Sequence, residues 1–94
     1  MEFSLIDIRQ RHLRQFILNL KRYQPDEWEK MEDLHMLLYL DLFARSAADK
    51  DNASKLSWFE DPQPDIDDMT YPELIEVATA VAELYAERTA LDPN

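Results

Sequence analysis

The 94-residue sequence predicts a small all-α domain of three principal helices. Three observations carry that prediction. Glycine is absent and prolines punctuate the chain, so the backbone conformations that tight hairpins, phosphate loops and nucleophile elbows draw from glycine are scarce. Apolar residues recur at helical spacing in three segments. Two of those segments open with a residue pair of the capping-box kind, Ser4 with Asp7 and Thr70 with Glu73.

The first helix is predicted over about residues 5–23, with Ser4 as its cap and Phe3 stapled against Ile8. Ile6, Leu13, Phe16, Ile17 and Leu20 share one face, and Arg11, Arg14, Lys21 and Arg22 make a basic stripe on another. Arg9 lies near the apolar face and must snorkel or find an acid. The second helix is predicted over about residues 25–48. Pro25 suits its first position, and Asp26, Glu27 and Glu29 suit the positive end of its dipole. Trp28, Met31, His35, Leu38, Tyr39 and Leu42 form a stripe that Leu34, Leu37 and Leu40 widen almost all round. Such a helix is covered on more than one side, so it sits centrally or at an interface, and a homo-oligomer is compatible with it. Residues 46–57, small and polar, read as a frayed helix end or loop.

Residues 57–70, "SWFEDPQPDIDDMT", read as an acidic, proline-stiffened lead-in to the third helix. That helix is predicted over about residues 71–90. Leu74, Val77, Ala78, Val81, Leu84 and Tyr85 point inward, and Glu73, Glu76, Glu83 and Glu87 point outward.

Composition excludes several functions. With no cysteine there is no disulfide framework, thiolate nucleophile or Cys-based zinc site. The net charge of −10 repels phosphates, which disfavours nucleic acid and anionic membranes. The charge is uneven: residues 1–22 carry five Lys/Arg against Glu2 and Asp7. No apolar run is long enough to span a bilayer, and no leader is visible, so a cytoplasmic location is expected. No catalytic residue, metal or cofactor is expected. Ser4, Ser46, Ser54 and Ser57 with His12 and His35 lack an elbow and an oxyanion hole. The pair Glu32 and His35 is one copy of the Glu-x-x-His unit of di-iron bundles, where two are needed. The acidic loop lacks the glycine and terminal Glu of a calcium loop.

What remains is protein binding. The candidate partner-binding residues are Leu56, Trp58 and Phe59 as apolar anchors, Arg11 and Arg14 from the basic stripe, and Asp65, Asp67 and Asp68 from the loop. Each has a structural alternative: the aromatics can cap the bundle end, the stripes can be solvated, and the loop can be a lead-in. The opening run "FSLIDIRQRHLRQFILNL" and the closing run "DDMTYPELIEVATAVAELYA" resemble the first and last helices of small tail assembly chaperones of long-tailed phages. The resemblance covers about half of the chain. It implies a non-catalytic protein that binds the tape-measure protein and recruits tail-tube subunits. A second expectation comes from the charge: an acidic inhibitor, either a toxin-immunity protein or a nucleic-acid mimic, whose carboxylates occupy a basic site on the target.

Overall fold

The computed structural model describes residues 2–24, 35–49 and 56–90. Three α-helices form the domain: α1 (Gln10–Tyr23), α2 (His35–Ala48) and α3 (Tyr71–Thr89). A 3-10 turn, Ile66–Asp68, precedes α3. The all-α expectation holds. The helix α2 packs against both α1 and α3, which makes it the central element its apolar sequence predicted.

The start of α1 differs from expectation. Residues 2–9 are extended instead of helical, and α1 begins at Gln10. Ser4 caps nothing; its carbonyl accepts from the Glu60 N–H at 2.8 Å, and the Ile6 N–H donates to the Trp58 carbonyl at 2.8 Å. Leu5 thereby faces Phe59 in an isolated antiparallel bridge. Phe3 meets Phe59 edge-on at 6.0 Å between ring centroids, in place of the expected staple on Ile8. Two long-range backbone bonds and the burial of Ile8 outweigh one local cap. The actual helix start uses His12, whose Nδ1 accepts the Arg9 backbone N–H at 2.9 Å. Arg9 itself finds an acid, Asp7, at 3.7 Å.

That bond requires a neutral imidazole, because a protonated ring has no acceptor. Burial pushes His12 below its ordinary value of 6.5, and repulsion from the Arg11 and Arg9 guanidiniums acts in the same direction. The unfolded chain therefore takes up this proton before the folded chain does. The His12 contribution is expected to be complete above the unfolded value of 6.5 and to be lost as pH falls through it. Thermal unfolding should show a midpoint that declines from about pH 7.5 to about pH 5.5, and a smaller decline in His12→Gln, whose amide oxygen still accepts. Equal declines in the two proteins would refute this assignment.

The C-terminal half of α2 is also more ordered than its composition suggested. Ala44, Ala47 and Ala48 are helical and buried, their small side chains admitting close helix approach. The helix ends at Asp49, which adopts the left-handed conformation (φ 51°) that a glycine usually supplies. Its carboxylate offsets that strain by accepting from Asn19 Nδ2 at 2.8 Å and from the Leu56 N–H at 3.2 Å. The predicted N-terminal part of this helix, with Trp28, Met31, Glu32 and Leu34, lies outside the described residues.

The opening of α3 is as the sequence predicts. Thr70 Oγ1 accepts the Glu73 N–H at 3.3 Å, and Glu73 Oε1 accepts the Thr70 N–H at 2.9 Å. That donation from the Thr70 backbone, with its hydroxyl, holds the Glu73 carboxyl below the usual carboxylate range. Leu74, Val77, Ala78 and Val81 are buried, as their spacing requires. They close on Phe16, whose ring lies tilted against Trp58 at 4.6 Å and Tyr85 at 5.4 Å and meets Phe43 edge-on at 5.9 Å.

Candidate functional site

The expected apolar anchors are not at the surface. Trp58 is 0% exposed and Phe59 is 3% exposed. Both belong to the core that the N-terminal segment covers, so neither can anchor a partner. Leu56 is half-buried beside them. The reason is topological: the chain between α2 and α3 crosses under residues 2–9, where two large rings fill the space that three short helices leave open. Trp58 Nε1–H is satisfied there by the His12 carbonyl at 3.3 Å.

The acidic loop is mostly structural. Asp65 accepts the Asp67 N–H at 3.2 Å and caps the 3-10 turn. Asp67 pairs with Arg45 at 2.6 Å, and Asp41 joins the same guanidinium at 2.9 Å. The hydrogen bonds that Arg45 donates to Asp41 and then to Asp67 raise its pKa further above its already high value, so this cation stays charged throughout. Ile66 and Pro64 are buried, which pins the loop to the domain. Asp68 remains exposed and, with Glu2, Asp65 and Glu73, lines a hollow of about 360 Å³. Among the described residues, no group of three or more His, Asp and Glu side chains is placed to hold a metal. Glu32 and the side chain of His35 lie outside the described set.

Arg11 and Arg14 are exposed on the outer face of α1 with Lys21 and Arg22. Glu76, Glu83 and Glu87 are exposed on α3. No ion pair joins these two stripes among the described residues.

A different surface has the chemistry of a binding site. The helices α2 and α3 leave an apolar groove of about 520 Å³ between them. Met36, Tyr39, Leu40 and Phe43 form one wall at positions i, i+3, i+4 and i+7. Ala78, Thr79, Ala82 and Ala86 form the other, and Glu83 marks its rim. The groove exists because the α3 wall is almost bare methyl groups, repeated every four residues, opposite long side chains that overhang it. Met36 is 65% exposed, and Leu37 and Tyr39 beside it are 44% exposed. Large apolar side chains gathered this way on a small domain are the chemistry that an interaction surface requires. Apart from the Tyr39 and Thr79 hydroxyls and the Glu83 carboxylate at the rim, the lining is apolar.

The sequence pattern puts Tyr39 and Leu40 on the broad apolar surface of α2 but does not single out Met36, Ala82 or Ala86. The signal present was the near-continuous apolar surface of α2, larger than two neighbours of this length can cover. The alanine row at 78, 82 and 86 was a second signal. No protein-family model matches the chain, and comparisons with curated proteins and with solved structures find no match. The class defined by fold and site is therefore a small all-α domain with an acid-rimmed apolar helix groove. No helix among the described residues is long and apolar enough to cross a membrane.

Proposed function

We propose that this protein is a non-catalytic adaptor or assembly chaperone that holds a helical segment of another protein in the α2–α3 groove. The groove carries this reading: its apolar walls at helical spacing match the way an amphipathic helix seats its i, i+3, i+4 and i+7 anchors. The mechanism is occupancy. An apolar helix face that would otherwise aggregate stays covered until its own assembly partner displaces the chaperone. The resemblance to phage tail assembly chaperones supports a tape-measure protein as the source of that segment and a tail-tube subunit as a second partner, in the cytoplasm of a bacterial host. Of the two segments behind the resemblance, the closing one has its capped helix, whereas the opening one is extended up to Arg9.

One observation favours a second reading. The hollow lined by Glu2, Asp65, Asp68 and Glu73 presents exposed carboxylates in a bowl, as an acidic inhibitor of a basic site would. Two variants separate the readings. Met36→Ala with Tyr39→Ala should weaken binding of helical tape-measure segments by about 2 kcal/mol, as truncated hot spots do. Asp65→Asn with Asp68→Asn should leave equilibrium affinity nearly unchanged. Isothermal titration at two salt concentrations reads both. Binding that survives loss of the groove side chains but collapses with the carboxylates and with salt would instead select the acidic inhibitor.

A further inference from the structure

We propose that the α2–α3 groove of one molecule is also the seat for the outer face of α1 from a second copy of the same chain. This inference rests on the reading of the groove as a helix site. The outer face of α1 has the required pattern. Arg14, Ile17, Leu18 and Lys21 fall at i, i+3, i+4 and i+7, a basic–apolar–apolar–basic row. Ile17 is 40% exposed and Leu18 is 52% exposed, whereas Phe16 and Asn19 on either side of them are buried. The groove presents the complement: apolar walls, with exposed Glu83 and Glu87 on the α3 side. The stripes find no mutual ion pair inside one molecule, and contact between molecules supplies it. The two surfaces share no residue, so each molecule can offer its α1 face and its groove at once. The contact is heterologous and yields a ring or an open chain, not an isologous dimer. A cognate helix entering the groove would displace α1, so self-association stores the adaptor with its apolar surface covered.

Charge swapping tests the idea. In sedimentation velocity the wild type should gain mass with concentration and lose that gain at high salt. Arg14→Glu with Lys21→Glu should weaken association about tenfold or more, and so should Glu83→Lys with Glu87→Lys, because each makes like charges face one another. All four changes together should restore it. All of these sites are exposed, and circular dichroism checks that each variant keeps its helix content. A wild type that stays monomeric at every concentration yet takes up helical segments in the groove overturns self-association and leaves the adaptor reading in place. A wild type that does neither overturns both. Variants that associate as well as the wild type, or a fourfold swap that stays monomeric, overturn the pairing of α1 with the groove.

Discussion

Trp58→Ala is expected to destabilise the domain by about 3–5 kcal/mol, the range for deleting a large ring from a packed core. That is a large share of the 5–15 kcal/mol that holds a typical small domain together. The size of the effect follows from position. Trp58 is fully buried, packs its ring tilted against Phe16, and donates its ring N–H to the His12 carbonyl. Its backbone N–H donates to Ala47 at 2.8 Å, and its carbonyl accepts from Ile6 at 2.8 Å. One residue thus joins the N-terminal segment, α1 and the end of α2. Urea denaturation should show a lower midpoint, and residues 2–9 should lose amide protection together with the core. Trp58→Phe keeps the ring packing and should cost less than half as much. A variant Trp58→Ala within 1 kcal/mol of wild type would show that this ring is not the keystone the geometry describes.

That expectation follows one of the two readings the sequence left open for Trp58, a ring that closes the bundle end, and goes against the other, an exposed anchor. Residues flanked by prolines and acids look like an exposed loop, and large aromatics in a loop look like anchors. What hid the truth was pairing at long range: Ser4 and Ile6 bond residues more than fifty positions away, and no local pattern encodes that. The same pairing erased the helix start at Ser4, whose cap signal is real but worth only about 1 kcal/mol. By contrast, α3 was legible from end to end, because its capping box and inward row depend on neighbours three and four residues apart. The basic face of α1 and the acidic face of α3 were legible for the same reason. The groove was half legible. Excess apolar surface on α2 was visible in the sequence, but which side stays open depends on the alanine row of α3 lying opposite, a fact of packing.

Asn19→Leu is the second large expected effect, at about 3 kcal/mol, although it exchanges a polar residue for an apolar one of the same branched shape in a buried place. Asn19 is 1% exposed on α1. Its Nδ2 donates to the Ser46 carbonyl at 2.9 Å and to Asp49 Oδ1 at 2.8 Å, and its Oδ1 accepts from Gln15 at 3.0 Å. The amide therefore ties α1 to the terminus of α2, where Asp49 holds its left-handed turn. Leucine removes a donor from a buried carboxylate, and hydrogen bonds to charged groups are worth about 1.5–3 kcal/mol before the cost of the stranded acceptor is added. Asn19→Asp is the sharper test. It sets a second carboxylate against Asp49, so the pair must hold a proton to fold, and the folded pKa of the pair rises above the unfolded carboxylate value of about 3.9. A group whose pKa is raised on folding adds stability below its unfolded value and loses it as pH rises. Asn19→Asp should therefore be weaker than Asn19→Leu at neutral pH and should close the gap on acidification toward about pH 4. Chemical denaturation at the two pH values measures the difference, and a gap between the two variants that does not change with pH would show that Asn19 does not face the Asp49 carboxylate.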